Sequence, residues 1–383
     1  MRGNGFFAGG ITREIELAFG SGLKLLLPQQ PAFFKLKGQE IEIQNGFCMR
    51  FCVQLNPQVS LSKAPESLMP TLIEQVQLAD AVGFDGFSMG EHYNIPGLQR
   101  LHQLPALARL CAEVKRCAVG TAVTLLGLRH PVTVATELAS LDVINRGRSF
   151  FSFGLGYRQE ELDAFHLTKR QRLRRLAEGV EIIKRLWTED QVDFQGREFH
   201  LRGVTVDPKP LQKPRPPIWI AANSDPAVER AARIGDGWLI GPHSAIEELE
   251  RQVETCRSAW VSAGKPGHPA LPIIREAFVA QTRREAIEKA RPCLERLYRH
   301  IYVKWKQNEA MTNPEELHWG FDRLAKNRFI LGTPEECIDQ IREYESRLGI
   351  PIMLVRFDWT PGLGQEEILA AMRLFGEKVI SRV

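Results

Sequence analysis

The chain has 383 residues, of which 44% are hydrophobic and 25% are charged, which is enough for one large domain or two ordinary ones. The formal net charge is only +4 and the Lys and Arg residues are scattered, so neither nucleic-acid binding nor membrane binding is indicated. The seven cysteines show no C-x-x-C spacing. We therefore expect reduced thiols, no metal site and a cytoplasmic location.

Residues 1–48 contain a short apolar piece at 23–36, which charged residues interrupt and which no small-residue cleavage site follows. A secretory signal is therefore not expected, and no apolar run in the chain is long enough to span a membrane. We expect residues 1–48 to form a poorly ordered N-terminal extension. Met49 opens the first strand-like run, and we expect residues 49–383 to form a single domain.

From residue 49 onward, short apolar runs alternate with amphipathic segments, the pattern of parallel strands joined by crossover helices. The predicted strands cover residues 49–55, 85–90, 117–124, 149–155, 217–222, 236–240, 272–282 and 351–358. The predicted helices cover residues 66–82, 103–116, 131–145, 169–187, 225–234, 244–263, 283–307, 334–348 and 365–381. Eight strands in this alternation predict an α/β fold, a (β/α)8 TIM-like barrel with insertion segments.

Two segments interrupt the alternation. Residues 188–216 alternate apolar and polar positions and then become proline-rich, which predicts a hairpin and an extended lead-in to the fifth strand. Residues 307–333 form a second insertion, before the next predicted helix. Long insertions in compact domains are commonly functional, so we expect both segments to lie near the active face and to cover it.

The C-terminal ends of successive strands carry unusual residues, and in a barrel these ends meet on one face. After the second predicted strand comes GEHY, which contains Glu91 and His92. Histidine titrates near neutral pH, so His92 is a candidate acid–base group, and the adjacent Glu91 is a candidate for fixing its tautomer. The alternative interpretation is a histidine in an exposed surface loop.

The segment GFSMG, residues 86–90, matches the G-x-S-x-G pattern of serine hydrolases. That pattern needs a helix directly after the serine. Ser88 instead falls inside a predicted strand, and Pro96 and Gly97 follow in a loop. Hydrolase chemistry is therefore not expected.

The fourth predicted strand ends in FSFGLGYR, residues 151–158. Gly154 and Gly156 lack the third glycine of a dinucleotide-binding motif, so a nicotinamide-binding fold is not supported. We expect these glycines to let a flat ligand approach closely. Arg158 is a cation that can meet a phosphate group.

The fifth predicted strand leads into a helix through Asn223, Ser224 and Asp225. The unpaired N–H groups and the dipole at a helix start attract anions, so this junction is a candidate phosphate site. A carboxylate facing a phosphate would be unfavourable. We therefore expect Asp225 to cap the helix while Ser224 and backbone N–H groups bind the anion. The alternative is a helix cap without a ligand.

Taken together, four segments resemble the bacterial luciferase-like, flavin-dependent monooxygenase superfamily: GEHY, GTAVTLLGLRHPV, GRSFFSFGLGYRQEEL and PPIWIAANSDPAVERAARIGDGW. The closing stretch, GIPIMLVRFDWTPGLGQEEILAAMRLFGEKVI, is similar to the end of many such oxidoreductases. The resemblance extends over residues 49–383 and depends on the order and spacing of the segments. It implies a TIM-like barrel with an inserted segment, usually a homodimer. By this resemblance, Glu91 and His92 match a Glu-His pair whose histidine acts on the flavin–oxygen intermediate.

The resemblance also implies the cofactor site. Ala122 and Val123 match a non-prolyl cis peptide beneath the isoalloxazine ring. Ser224, with the N–H groups near Asn223, matches the flavin phosphate site. The cofactor-binding residues implied in this way are Ala122, Val123, Gly154, Gly156, Tyr157, Arg158, Asn223 and Ser224.

The chain departs from the family at three positions. Ser152 stands where a glycine is common, and Asn223 stands where luciferase has a glutamate at the phosphate site. Leu155 stands where luciferase has an arginine that contacts the phosphate, so Arg158 is the candidate substitute. These departures argue against a light-emitting protein and for a generic monooxygenase.

The resemblance implies an FMN-dependent monooxygenase that oxidises a small-molecule substrate with dioxygen and reduced FMN. Nothing in the sequence resembles a nicotinamide-binding domain, so a separate flavin reductase would supply the reduced FMN. One alternative is a deazaflavin-dependent dehydrogenase or reductase on the same fold, whose members commonly carry Asp-His in place of Glu91-His92. A second alternative is a flavin-binding protein without turnover, against which the Glu91-His92 pair counts.

Overall fold

The computed structural model describes residues 49–307, 311, 313–359 and 362–383, so the expected extension 1–48 lies outside the described residues. The strands are β1 (Arg50–Leu55), β2 (Gln58–Ser60), β3 (Gly86–Met89), β4 (Leu98–Arg100), β5 (Ala118–Thr121), β6 (Ser149–Phe153), β7 (Val192–Gln195), β8 (His200–Val204), β9 (Ile218–Ala222), β10 (Gly237–Ile240), β11 (Pro272–Val279), β12 (Ile330–Gly332) and β13 (Ile352–Arg356). The α-helices are α1 (Leu68–Val82), α2 (Gln103–Cys111), α3 (Pro131–Ile144), α4 (Gln159–Ala164), α5 (Lys169–Thr188), α6 (Asp225–Ile234), α7 (Ile246–Ser262), α8 (Arg283–Arg296), α9 (Phe321–Ala325), α10 (Pro334–Leu348) and α11 (Gln365–Lys378).

Eight parallel strands close into a barrel. Their order around the barrel is β1, β3, β5, β6, β9, β10, β11 and β13, and β13 pairs again with β1. All eight strands lie where the apolar runs predict them, so the (β/α)8 TIM-like barrel is confirmed. The short strands β2 and β4 pair with each other in the loops that follow β1 and β3, at the C-terminal face.

Local sequence signals set the ends of several helices. Helices α5 and α10 begin with capping boxes at Thr168 and Thr333, whose side chains accept a hydrogen bond from a backbone N–H of the first turn. Helices α1 and α10 end at Gly83 and Gly349, whose φ angles of 104° and 68° favour glycine. These signals explain why the start of α5, the end of α1 and both ends of α10 lie at the predicted residues.

An apolar layer fills the inside of the barrel. Phe150 stacks on Trp219 with ring centroids 5.0 Å apart, and both side chains are fully buried. The rest of this layer consists of Cys52, Ala118, Ala122, Leu239, Ile274, Ile352 and Leu354. A larger apolar cluster lies between the outer face of the strands and the helices, as the two-sided burial of parallel strands requires.

Above this layer, toward the C-terminal ends of the strands, the barrel interior becomes polar. The strand register aligns Gln54 of β1 with Ser88 of β3, and Glu276 of β11 with Arg356 of β13. We call these four residues the polar floor, because they underlie the mouth of the barrel. Ser88 is fully buried within β3 and a loop follows that strand, so it is not the nucleophile of a hydrolase.

The first insertion forms the predicted hairpin, in which β7 pairs antiparallel with β8. Its turn packs on α5, where the Glu178 carboxylate accepts hydrogen bonds from the backbone N–H groups of residues 197–199. Phe199 also contacts the Arg175 guanidinium and the His130 ring at the start of α3. The hairpin follows a barrel helix and lies against the outer helices, so the expectation that it covers the mouth is wrong.

The chain between β11 and β12 does reach the mouth. Helix α8 is predicted to continue to residue 307, but it ends at Arg296 and is followed by a π-helical segment, Leu297–Tyr302. This segment turns Tyr298 and Tyr302 toward the polar floor, with ring centroids 4.9 Å apart. Gln307 then donates a hydrogen bond to the Tyr157 hydroxyl after β6, so the second insertion begins at the mouth.

Neither reactive thiols nor a membrane-spanning helix is found among the described residues. The six described cysteines are buried and free of disulfide bonds, and burial raises the pKa of Cys111 to about 12. Within the part of the chain that the structure describes, no helix combines the length and apolar character needed to cross a bilayer.

We expect Gly120→Ala to lower the free energy of unfolding by about 1–3 kcal/mol, the usual effect of overpacking a core. A Cβ at Gly120 would lie 2.0 Å from Cε2 of Phe150, which its stacking on Trp219 holds in place. Urea unfolding measures this loss. The matched control is Gly320→Ala, since no atom lies within 4 Å of the added methyl group. Equal losses in the two variants would show that the barrel interior accommodates the methyl group.

Candidate active site

The imidazole of His92 lies at the mouth of the barrel, in the loop after β3. Its Nδ1 lies 3.0 Å from Oε1 of Glu161, a fully buried carboxylate on α4. The same oxygen accepts a hydrogen bond of 2.8 Å from the backbone N–H of Tyr93. Glu161 therefore orients the ring and fixes its loop. The expectation that Glu91 fixes the tautomer of His92 is wrong, because the carboxylate that contacts the ring is Glu161.

His92 is neutral at neutral pH. Burial lowers its pKa below the ordinary value, although the hydrogen bond to Glu161 acts in the opposite direction. The charges of Arg100 and Arg158 lower the pKa further. Because the Glu161 carboxylate accepts a hydrogen bond from Nδ1, the neutral ring presents Nε2 as an acceptor. This nitrogen lies 3.5 Å from the Tyr157 hydroxyl.

Glu91 is buried and holds the surrounding loops together. Its Oε2 accepts a hydrogen bond of 2.7 Å from the backbone N–H of Leu125, and its Oε1 accepts one of 2.7 Å from the Tyr93 hydroxyl. Burial alone would raise the pKa of Glu91, but the hydrogen bond with His102 and the charge of Arg129 bring that pKa below its usual value. Glu91 is thus an ionised carboxylate that positions the loops after β3 and β5.

Arg158 supports the loop that carries His92. Its Nη1 donates hydrogen bonds to the carbonyls of Tyr93 and Asn94, at 2.9 and 3.0 Å. Its guanidinium also lies over the Trp305 ring, 5.2 Å from the centroid, and the side chain is almost fully buried. The expected phosphate contact of Arg158 thus competes with contacts inside the protein.

The ends of β5 and β6 fit closely together. The peptide bond between Ala122 and Val123 is cis, which is the form that the family resemblance implies. The Ala122 carbonyl accepts a hydrogen bond of 2.8 Å from Nε2 of Gln54 in the polar floor. A Cβ at Gly154 would lie 2.8 Å from Cγ2 of Val123, and Gly156 has a φ of 73°. These glycines are thus required by packing and by a turn, and their contact with a ligand stays a prediction.

The junction after β9 leaves the Ser224 side chain available. Ser224 occupies the N-cap position of α6, but its hydroxyl makes no capping hydrogen bond. The Asp225 carboxylate turns toward α7, where it accepts hydrogen bonds from Arg251 and Gln252 at 3.0 and 3.1 Å. The expectation that Asp225 caps the helix is therefore wrong. The Asn223 carbonyl is also tied to α7, through Gln252.

Two arginines, one on α5 and one on the helix that follows this junction, were missed in the sequence. Arg172 of α5 donates a hydrogen bond to the Gly156 carbonyl, and Arg230 of α6 has a buried Nε without a hydrogen-bond partner. Burial lowers the pKa of both guanidinium groups, and the charge of Arg230 lowers that of Arg172 further. Two neighbouring cations of this kind would be stabilised by an anion. No motif marks them, because they lie within amphipathic helices that are rich in arginine.

The polar floor was missed as well. Arg356 donates hydrogen bonds to the Tyr302 hydroxyl and to Oε1 of Gln54, at 2.9 and 3.0 Å. Its Nη1 lies 3.5 Å from Oε1 of Glu276, whose other oxygen accepts a hydrogen bond of 2.8 Å from Tyr298. The period-two alternation of β13 places Arg356 inside the barrel, which is the signal that could have revealed it.

A second histidine lies at the mouth, in the loop after β10. The His243 ring packs edge-on against Tyr302, with centroids 4.7 Å apart, and only 8% of the residue is exposed. Burial lowers the pKa of His243 to about 3, so its ring is neutral. Within the described ranges, no group of three or more His, Cys, Asp or Glu side chains is arranged to hold a metal ion.

The fold and this mouth define an α/β-barrel protein whose polar side chains converge at the C-terminal ends of the strands, where barrel enzymes carry out their chemistry. The family model described as luciferase-like monooxygenase matches residues 49–349, and the chain belongs to this family. The resemblance found in the sequence is thereby confirmed.

Individual relatives include redox enzymes of two kinds. The oxygenase component of the flavin-dependent trigonelline monooxygenase of Acinetobacter baylyi is 27% identical over 319 residues, which cover 78% of this chain and 86% of that protein. The F420-dependent glucose-6-phosphate dehydrogenase of Microbacterium testaceum is 26% identical over 319 residues, which cover 80% of this chain and 91% of that protein. Among solved structures, the monooxygenase RslO1 of Streptomyces bottropensis has a TM-score of 0.74 and 25% identity, covering 87% of this chain and 99% of that one.

We expect Glu161→Gln to lower the pKa of His92 further, because the Glu161 carboxylate raises it in the native protein. An NMR titration of the His92 ring measures this shift. The matched control is Glu160→Gln, since the Glu160 side chain is 61% exposed and lies 3.7 Å from Nη2 of Arg158. It should leave the titration of His92 unchanged. A pKa of His92 that does not move in Glu161→Gln would contradict the assignment of Glu161 as its partner.

Proposed function

We propose that this protein is an FMN-dependent monooxygenase that oxidises a small organic substrate with dioxygen. The observation that carries the proposal is the neutral His92 imidazole, which Glu161 holds at the barrel mouth. Its 27% identity to the oxygenase component of a flavin-dependent monooxygenase supports a two-component system, in which a separate reductase supplies reduced FMN. We also infer a homodimer, as is usual in the family.

The residues near α6 fit the phosphate of FMN. The unused Ser224 hydroxyl, the N-terminus of α6 and the adjacent guanidinium groups of Arg172 and Arg230 provide donors and positive charge. A dianionic phosphate would satisfy the buried Nε of Arg230 and relieve the repulsion between the two cations. Ala122 and Val123, whose peptide bond is cis, would lie beneath the flavin ring, and Tyr157 would lie beside it.

Bound at this mouth, reduced FMN would supply the electrons for the activation of dioxygen. The neutral His92 ring is placed to accept at Nε2 a proton released by the substrate, and Glu161, on the opposite side of the ring, would stabilise the resulting imidazolium. Glu91 and Arg158 hold the two loops that set the position of the ring. Trp305 packs beside the ring, with its centroid 5.5 Å from that of His92.

A deazaflavin-dependent dehydrogenase is the second candidate, because the F420-dependent relative matches this chain almost as well as the monooxygenase does. The two cofactors differ in mass and in absorption spectrum. Mass spectrometry of the cofactor retained on the purified protein therefore separates the candidates. Retention of a deazaflavin and exclusion of FMN would replace the proposed function. Flavin binding without any turnover would instead indicate a binding protein.

We expect Ser224→Asp to weaken FMN binding by about 1–3 kcal/mol, the range for hydrogen bonds that involve charge, because a carboxylate would replace a donor at the phosphate. Flavin fluorescence titration measures this affinity. Ser346→Asp adds the same charge at an exposed position near the end of α10 and should leave FMN affinity unchanged. If Ser224→Asp, Arg172→Ala and Arg230→Ala all bind FMN as the native protein does, the phosphate lies elsewhere.

We expect His92→Ala to retain FMN but to slow substrate oxidation by about 10²–10⁴-fold, the usual contribution of an acid–base group. The pKa of His92 lies below its ordinary value of about 6.5, so the native rate should fall only as the pH decreases below that value. This acid limb should vanish in His92→Ala. His268→Ala, at an exposed loop position, is the control. Assays with an external flavin reductase measure both effects. An unchanged rate and pH profile in His92→Ala would contradict the catalytic role of His92.

A further inference from the structure

Two arginines lie close together at the mouth, beside the polar floor. Arg356 lies 3.5 Å from Glu276, the carboxylate of the polar floor. Arg100, in the loop after β3, donates hydrogen bonds to two neutral acceptors, the Gln58 side chain and the Gly90 carbonyl, and the charge of Arg356 contributes to lowering the pKa of Arg100. Arg275 does not add to this charge, because it alternates with inward-facing residues along β11 and faces Tyr344 on the outer side of the barrel. A buried charge without a counter-ion is costly, so the mouth favours an anion.

Arg356 is the cation of the polar floor that a ligand in the mouth can contact. Its side chain is 19% exposed, whereas that of Glu276 below it is fully buried. Its guanidinium is fixed by hydrogen bonds to Tyr302 and Gln54, and Gln54 is fixed in turn by the Ala122 carbonyl. These hydrogen bonds engage two of the five N–H groups that an arginine carries. A guanidinium held in this way is preorganised for a carboxylate.

The loop after β10 carries His243 beside Arg356 and is held rigidly. The carbonyls of residues 241, 243 and 244 accept hydrogen bonds from the buried side chains of Arg275 and Arg328, and the Pro242 carbonyl lies 2.9 Å from the Tyr298 hydroxyl. Burial, with the added charges of Arg356, Arg328 and Arg275, keeps the pKa of His243 low. His243 therefore stays neutral and adds no positive charge that could attract an anion. Its ring forms an uncharged wall beside the Arg356 guanidinium.

Further aromatic rings surround the same opening. Tyr302 packs against His243 and carries no charge, and Trp305 packs beside both His92 and Tyr157, with centroid distances of 5.5 and 6.4 Å. Aromatic rings favour stacked or edge-on contacts with another ring. A fixed guanidinium at the base and aromatic walls above it together select a flat ring that bears an anionic group.

We propose that Arg356 binds the carboxylate of an aromatic or heteroaromatic acid, and that such acids are the substrate class of this protein. This inference rests on the proposed function, because it places the acid ring in the same mouth as His92. The alternative source of negative charge is the reduced flavin itself, which the test below distinguishes.

The test uses two pairs of probes that differ only in charge: benzoate with benzamide, and nicotinate with nicotinamide. Calorimetry on the flavin-free protein, and difference absorption on the FMN-loaded protein, report their binding. We expect each acid to bind about tenfold or more tightly than its amide, the size of one charge-assisted hydrogen bond. Arg356→Met should remove this preference while amide binding and FMN affinity stay unchanged. Arg356→Lys should restore part of the preference.

Two further variants keep the test decisive. Arg356→Met leaves Glu276 buried without its partner, so the double variant Arg356→Met/Glu276→Gln preserves local neutrality if the single variant does not fold. Arg373→Met removes an exposed arginine of α11 and should retain the acid preference. Equal binding of acids and amides, or an acid preference that survives in the Arg356 variants, overturns the inference. An effect of Arg356→Met on the flavin reduction potential alone, with the acid preference unchanged, also overturns the inference. Failure of the protein to bind FMN would defeat the proposed function, while the flavin-free titrations would still decide the acid subsite.

Discussion

The hydrogen bond between Glu161 and His92 is the interaction on which the rest of the mouth depends. It joins the loop after β3 to the start of α4, two parts of the chain that are 69 residues apart. The same carboxylate accepts a hydrogen bond from the Tyr93 N–H, and Arg158 donates hydrogen bonds to the carbonyls of Tyr93 and Asn94. The loop after β3 has no regular structure until Leu98, so these contacts take the place of a helix or strand.

The mouth combines two electrostatic regions with different purposes. Around His92 each carboxylate has a cationic or imidazole partner, so the field is balanced and the ring can exchange a proton. Around Arg356 the field is positive and the neighbouring histidine is neutral. Buried arginines on that side are satisfied mainly by backbone carbonyls, which neutralise no charge but fix the loop geometry. The proposed proton transfer and the proposed anion binding would thus take place on different sides of the opening.

The sequence predicts the barrel well, because strand and helix periodicity are local signals. All eight strands and the start of nearly every long helix follow from apolar spacing and caps. The site is predicted less completely. Glu161 lies in a six-residue helix with no clear periodicity, and Gln54 meets Arg356 across 302 positions. Contacts of that range depend on barrel closure, so the motif around Glu91 points to the right loop but to the wrong carboxylate.

A change in the π-helical segment 297–302 would alter the lining of the mouth without altering the barrel. Each residue of an α-helix advances the chain by about 100°, since 3.6 residues complete a turn. Removal of one residue from this segment would restore α-helical winding and rotate Trp305 and Gln307 away from their present neighbours. The strands, the His92 loop and the N-terminal end of α6 would not be disturbed. A single-codon insertion or deletion in this turn would therefore change which side chains line the mouth. Such a change could alter substrate preference in one step.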